Sequence, residues 1–343
     1  MAALPSRINL EENMKKAHEE NDDVYSHTHH IFRAHELLLN DASRNRAFHR
    51  ALKEHITADS TVLDIGSGTG IWAIVAARLG ARRVVAVEKD EMLIPIIRSL
   101  LRENRVQERV EIVRTDSRRL KLRERFDVII SETIGNQGFE EEIVPIMIDA
   151  RKRFLKPRGI MIPRAVRLIA APGRVKRPYK NMPAGISISA GYFETLNLNI
   201  PVVLLDKSRL KVLSKPKSLV EADLMTINTP PDFSRMTARW KASDLSQINC
   251  LAVWADMMLG KDSSLSTVET SSWSPVVYMI KPFNEARGEI EFTLNLSDKN
   301  HHWSVTLPSV RNRQAQAYSP VFAYTSLMTH IKMAEMLEAS GRG

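Results

Sequence analysis

Two glutamates nine positions apart, Glu132 and Glu141, bracket the loop Ser131-Glu132-Thr133-Ile134-Gly135-Asn136-Gln137-Gly138-Phe139-Glu140-Glu141, directly after the apolar run Phe126 to Ile130. Upstream, Val62-Leu63-Asp64-Ile65-Gly66-Ser67-Gly68-Thr69-Gly70 opens an apolar strand into a glycine turn. A pair of carboxylates is suited to a planar cation, because two acceptors can engage two of its nitrogens at once. Gly66, Gly68 and Gly70 let the backbone approach a ligand where a side chain would collide. Glu140 and Glu142 flank Glu141, and the spacing from Glu132 selects Glu141. Such an acidic run also suits a helix start, where carboxylates complement the positive end of the dipole.

The glycine spacing discriminates between nucleotides. A dinucleotide site prefers G-x-G-x-x-G, with pyrophosphate on the helix N-terminus, and here the third glycine arrives one residue early. Asp64, just before the turn, would repel phosphate and suits an ammonium group, such as the amino-acid end of S-adenosylmethionine. Glu88 closes the next apolar strand, where an acidic residue accepts from ribose hydroxyls. Asp116, just past the strand Val110–Val113, is placed to accept from the adenine amino group. As an ordered series on successive strands these residues predict S-adenosylmethionine as the cofactor.

The elements that must hold these residues fall into three parts. Residues 9 to 55 carry helical periodicity, with Ile31, Phe32, Leu37, Leu38 and Leu39 as an apolar face before the polar stretch Asn40 to Arg46. From Ser60 to about Pro163 short β-branched runs alternate with helical patterns: Thr61–Ile65, Arg83–Val87, Val110–Val113, Phe126–Ile130 and Ile160–Ile162. That alternation predicts an α/β unit with a parallel sheet covered by helices. The helix Gly70 to Leu79 stops at Gly80, a residue suited to a left-handed cap, and Trp72 inside it reads as packing. Beyond Pro163, strands such as Arg167–Ala171, Val276–Ile280, Glu289–Leu296 and Trp303–Leu307 alternate with Pro, Asn, Gly and Ser clusters and predict an antiparallel β domain.

At 343 residues and 43% hydrophobic, the chain can build about two domains with their own cores. No apolar run reaches the roughly 18–20 residues of a membrane helix, and the first 30 residues lack the apolar core of a secretory signal, so a cytoplasmic protein away from membranes is expected. The lone Cys250 excludes an internal disulfide and reads as a buried apolar residue. His27, His29, His30 and His35 have no matched carboxylate geometry, so no metal is expected. Forty-nine Lys+Arg against 40 Asp+Glu leave a formal +9, which repels cationic substrates at long range. No helix-turn-helix, zinc-finger or RNA-recognition signature accompanies that charge, so nucleic acid is not the expected partner.

These residues together resemble the protein arginine methyltransferase family, closely from His35 to about Arg164 and loosely through the β domain. Val62 to Gly70 resembles its first motif, Val84 to Glu88 its second, and Ser131-Glu132, Gly135 and Glu141 its double-glutamate loop. The resemblance implies a Rossmann-like methyltransferase domain with an N-terminal helical segment, then a β-barrel-like domain: residues 1–55, 56–165 and 166–343. It implies Glu132 and Glu141 as catalytic residues that hold a substrate guanidinium, on a protein, a peptide or a small guanidino compound; the alternatives are a methyltransferase of the same fold acting on a non-guanidino small molecule and a non-catalytic scaffold. His35-Glu36-Leu37-Leu38-Leu39-Asn40-Asp41, followed by Arg44, resembles the helix that closes over the cofactor, with Arg44 on the donor carboxylate. Tyr25 stands at the first tyrosine of the family's N-terminal aromatic motif, whereas the second falls on His29. The family's Thr-His-Trp loop matches Ser271-Ser272-Trp273, so Ser272 and Trp273 are expected at the substrate site, and Asp41 is expected to lose its histidine partner. A homodimer, joined through an arm at about 172–196, is implied as well.

Overall fold

The computed structural model describes residues 31–176, 198–297, 301–310 and 312–318. Five parallel strands, β1 (Thr61–Ile65), β2 (Arg83–Glu88), β3 (Val110–Arg114), β4 (Phe126–Ser131) and β5 (Leu155–Ile162), lie in the order β3-β2-β1-β4-β5. Every residue of β1 is buried, as in a sheet covered on both faces, where strands read as unbroken apolar runs. Helices α3 (Ile71–Arg78), α4 (Ile94–Glu103) and α5 (Ile143–Phe154) supply that cover. The strand order reverses between β1 and β4, and ligands of such sheets bind outside the carboxyl ends at this point. Ile65 pairs with Ser131 and with Val87, so the glycine turn, Glu88 and Glu132 all leave the sheet at one level.

Helix 31–39 (α1) and α2 (Ala42–His55) precede the sheet. The expected apolar face of α1 is only partly realised: Phe32, Leu37 and Leu39 are exposed, and Leu38 packs against the core. The polar stretch expected after it contains the cap of α2, for Asp41 accepts from the Arg44 amide at 3.0 Å.

The second unit is antiparallel. β6 (Ala165–Val175), β7 (Val202–Val203), β8 (Leu210–Val212), β9 (Lys217–Asp223), β11 (Cys250–Met258), β12 (Ser264–Ser266) and β13 (Val276–Met279) form one sheet. The other contains β10 (Met236–Ala242), β14 (Gly288–Asn295), β15 (His301–Leu307) and β16 (Asn312–Tyr318). Alternate residues of β10 and β14 face inward, and Trp240, Ile290 and Phe292 meet Leu168, Leu251, Val253 and Tyr278 between the sheets. Residues 172–175, expected at the start of an arm, instead continue β6 and pair with β8 and β11. Residues 177–197, the remainder of the expected arm, lie outside the described residues, as do Tyr25, His27, His29 and His30.

The two units share side chains. Val166 of β6 belongs to the core of the parallel-sheet unit, two residues before Leu168 enters the core of the β domain. Arg151 of α5 donates to the carbonyls of Leu224 and Ile227 and to Asn228 Oδ1. At the far end of α2, Glu54 accepts from the Lys261 amide and the Ser263 hydroxyl. Carboxylates near both ends of α2 thus fasten it to the β domain.

Candidate active site

A cavity of about 680 Å³ opens at the carboxyl ends of the parallel strands. Its walls bring together Arg44, Gly66, Gly68, Glu88, Asp116, Glu132, Glu141 and Trp273, which the sequence singled out across more than two hundred positions. Asp64, Gly70 and Ser272 stand behind that wall rather than on it.

The floor is the glycine turn. Gly66, Gly68 and Gly70 have φ of +68°, +58° and +80°, a region that disfavours any residue with a Cβ. A Cβ on Gly68 would lie 2.6 Å from His35 Cε1, so α1 lies directly over the turn. Glu88 holds the turn in place, accepting from the amides of Gly68 and Asp90 at 2.8 Å each. Asp64 is fully buried; its Oδ2 accepts from the Ala73 amide at 3.1 Å, and its Oδ1 has no partner. Burial raises the Asp64 carboxyl to about 7, aided by the charges of Glu88 and Glu132. Asp116 is instead pulled down to about 2 by the Arg118 side chain, which grips it at 3.0 Å, and it also caps the turn at 117–119.

The acidic loop forms the other wall. Glu132 follows β4 and is ion-paired with Arg44. Burial drives the Glu132 carboxyl up to about 7; Arg44 opposes that rise, and the charge of Glu141 adds to it. The three acidic neighbours separate by their partners. Glu140 turns back into its own loop, accepting from the amides of Gln137 at 2.7 Å and Phe139 at 3.0 Å, and the space it fills explains Gly135, whose Cβ would lie 2.6 Å from Glu140 Oε2. Glu142, in the left-handed conformation at φ 60°, precedes α5 and reaches Arg118. Glu141 has no hydrogen-bond partner among the described residues and is free to receive a cation. Crowding by the cavity wall and the adjacent Glu140 charge raise its carboxyl, against the pull of Lys89.

Arg44 is set more elaborately than its place in a motif suggested. Its guanidinium carbon lies 5.1 Å from the Trp72 ring, 5.7 Å from Trp273 and 5.9 Å from Phe48, inside a box of three aromatic faces. Trp72 stacks on Phe48 at 4.9 Å, which agrees with its reading as a packing residue, and it also lines the cavity.

Asp41 does not lose its partner. The serine that replaces the expected histidine donates its hydroxyl to Asp41 at 2.6 Å and its amide at 2.8 Å, and the Ser271 amide adds a third contact at 2.9 Å. A short side chain suffices because the backbone of the loop itself comes to the carboxylate. Sequence reasoning missed what holds this loop. Lys207 donates its ammonium to the carbonyls of Thr267, Val268 and Thr270, while Asn136 of the acidic loop contacts Thr267 and the Ser274 amide. Gln137 donates to Tyr278 Oη at 2.9 Å. No motif signals these contacts, since their partners lie about 60 to 140 residues away.

A glycine turn, an acidic residue on the next strand and a closing helix, with an antiparallel domain behind them, define a methyltransferase of the α/β class with an appended β domain. A model of the ribosomal protein L11 methyltransferase family matches residues 49–164, which hold the parallel sheet. An arginine N(omega)-methyltransferase of Streptomyces achromogenes subsp. streptozoticus is 33% identical over 244 residues, 68% of this chain and 66% of that protein. A probable protein arginine N-methyltransferase 6.1 of Oryza sativa subsp. indica is 26% identical over 84% of this chain and 79% of its own length. The fold matches a Trypanosoma brucei PRMT1 enzyme-prozyme heterotetrameric complex with AdoHcy, at TM-score 0.67 and 20% identity, over 83% of this chain and 96% of that one. It also matches protein arginine methyltransferase 10 of Arabidopsis thaliana, at TM-score 0.65 and 22% identity, over 82% and 95%. The chain belongs to the arginine N-methyltransferase family.

Proposed function

We propose that the protein transfers a methyl group from S-adenosylmethionine to a guanidino nitrogen of arginine. The observation that carries this reading is the arrangement of Glu132 and Glu141 on one cavity with the glycine turn and Glu88, Glu132 already holding a guanidinium, that of Arg44. The cavity fits the cofactor on its own terms: Gly66 and Gly68 bare on its wall, a strand-end carboxylate for ribose, and unpaired polar atoms on Arg44, Asp64 and Trp72. Bound there, the cofactor supplies an electrophilic methyl on a sulfonium. We assign Gly66, Gly68 and Gly70 to its close approach, Glu88 to its ribose, Asp116 to its adenine, Arg44 to its carboxylate and Asp64 to the field that favours its positive charge.

Glu132 and Glu141 fix the plane of the acceptor guanidinium and draw its delocalised charge toward themselves, leaving the remaining nitrogen richer in electron density. Methyl transfer would make that nitrogen more acidic. The unpaired Glu141, raised above the usual carboxylate range, can take its proton. Tyr25, Ser272 and Trp273 are assigned to the acceptor side, Ser272 acting through Asp41. The N-terminal segment, parallel-sheet domain and β domain correspond in this reading to 1–55, 56–165 and 166–343. The exposed Val203, Leu205 and Val212 beside the expected arm support a homodimer. A cytoplasmic location is proposed on the composition, and no helix among the described residues is long and apolar enough to cross a membrane.

Incubation with methyl-labelled donor and free arginine, an arginine peptide or a cell extract tests the reading. Label on a guanidino nitrogen is expected, with Glu141→Gln slowing turnover roughly 10³-fold while donor affinity changes less than about twofold. Labelling of a non-guanidino acceptor, or no labelling despite donor binding, would overturn it.

A further inference from the structure

Among the buried polar atoms of the described residues that lack a partner, two are N–H donors on neighbouring residues that line the cavity: Arg44 Nε and Trp72 Nε1. They are adjacent in space, the guanidinium carbon lying 5.1 Å from the Trp72 ring. Trp72 is 2% exposed, so solvent does not compensate its N–H. An unmade hydrogen bond on a buried donor is destabilising, and most buried donors in folded proteins are paired. Two such donors on touching residues, Trp72 in the first turn of α3 and Arg44 in that of α2, mark a place prepared for an acceptor that carries negative charge.

We infer that the Trp72 indole N–H is a donor-binding group that hydrogen-bonds the carboxylate at the amino-acid end of S-adenosylmethionine, alongside Arg44. The inference rests on the cofactor reading above and adds a residue to it. A carboxylate accepts from several directions, and the other oxygens of the cofactor are hydroxyls and a ring ether, served at the Glu88 end. The stacking of Trp72 on Phe48 then has a second consequence: it fixes the indole plane, so the N–H is held in position before the ligand arrives. Helix packing alone asks only for an apolar ring at 72. A buried indole N–H left unpaired, on a residue that lines the cavity, is a cost that packing does not explain.

The test uses two ligands that differ by one group, S-adenosylmethionine and its decarboxylated analogue, titrated calorimetrically into the full chain and into Trp72→Phe, which keeps an aromatic ring and removes the N–H. The variant should bind S-adenosylmethionine about 10-fold more weakly, as expected for loss of a hydrogen bond to a charged group. It should bind the decarboxylated analogue within twofold of the parent. A general disturbance of folding or packing would weaken both ligands alike, and that result overturns the inference. So does unchanged affinity for both. Failure of the parent chain to bind either ligand would instead remove the cofactor reading itself.

Discussion

The strand ends of the parallel sheet and the loop 267–274 of the β domain serve one site in opposite ways. The strand ends contribute groups that line the cavity, and several of them are electrostatically uncomfortable: Asp64 and Glu132 are buried carboxyls raised to about 7. The β-domain loop contributes Trp273 to the wall and otherwise acts on groups of the first region. It is well satisfied, with Asp41 accepting from Ser271, Ser272 and Arg44, and Lys207 capping three carbonyls. Strain is concentrated where the ligand will relieve it, and satisfied hydrogen bonds are concentrated where position must be kept.

Asp41 joins the two regions, and removing it is the most direct way to break the comparison. Asp41→Ala deletes the cap of α2 and every contact from the loop, leaving the amides of Ser271 and Ser272 without their acceptor. Loss of a helix cap together with buried hydrogen bonds should cost roughly 2–4 kcal/mol of stability. Arg44 sits in the first turn of α2, so kcat/KM should fall about 100-fold, an estimate for misplacing a positioned group. Thermal melts and steady-state kinetics check both values. A destabilised variant that kept wild-type kcat/KM would separate the loop from the chemistry.

The two regions also respond to pH with opposite sign. Asp64 and Glu132 have carboxyls raised in the folded protein, so between their ordinary values near 4 and about 7 the folded state binds more protons than the unfolded one. Their contribution to stability is therefore favourable in mild acid and declines as pH rises toward 7. Asp41 is different: burial pushes its carboxyl up, but hydrogen bonds from Ser272, Arg44 and Ser271 outweigh that and bring it below its ordinary value. Its contribution is present above the carboxylate range and is lost as pH falls through it. Donor-free protein should accordingly show a melting maximum on the acid side of neutrality, and cofactor should move that maximum upward. Cofactor affinity should rise as much as about tenfold per pH unit below 7 for each carboxyl that must ionise. Calorimetry in buffers of different ionisation enthalpy would detect the accompanying proton release, and proton uptake would contradict the assignment.

Much of the first region was legible in the sequence because its residues are tied to local patterns. Gly66, Glu88 and Glu132 each follow an apolar strand, and parallel register alone brings them level. The longer extent of β5 was not legible, since Lys156, Pro157 and Arg158 interrupt the apolar pattern and are taken up as an irregularity of the ladder, with Arg158 at φ 68°. The fate of Asp41 was misjudged for a physical reason: a side-chain substitution was read as a lost contact, whereas two of the three loop donors are backbone amides, which a change of side chain at 272 other than to proline leaves in place. Lys207 gave no signal at all. A lysine whose partners are carbonyls some 60 positions away looks in sequence like any solvated cation.

Lys207 gives a sharper test of the supporting role because it touches no wall of the cavity. Burial lowers its ammonium pKa, and the charge of Asp41 counters that fall. Lys207→Met retains the apolar stem and leaves the carbonyls of Thr267, Val268 and Thr270 without their donor. Kcat/KM should drop about 5- to 10-fold, in line with one charged hydrogen-bonding group, with partial recovery in Lys207→Arg. Equal losses in the two variants would assign the effect to shape rather than to hydrogen bonding.

The smallest effect is expected at Ser272. Ser272→Ala removes one hydroxyl, the donor at 2.6 Å, and leaves the Ser271 and Ser272 amides on Asp41. The remaining amides keep the carboxylate ionised and the loop attached, so stability should fall by about 1 kcal/mol and kcat/KM by less than about fivefold. Ser272→His, which restores the family's residue, should do no better than the alanine variant, because the loop here approaches Asp41 closely enough for a hydroxyl and leaves an imidazole to displace one of the amides. A histidine variant faster than the parent would show that the serine is a compromise of the site, and that the backbone contacts are too weak to hold Asp41 and, through it, Arg44.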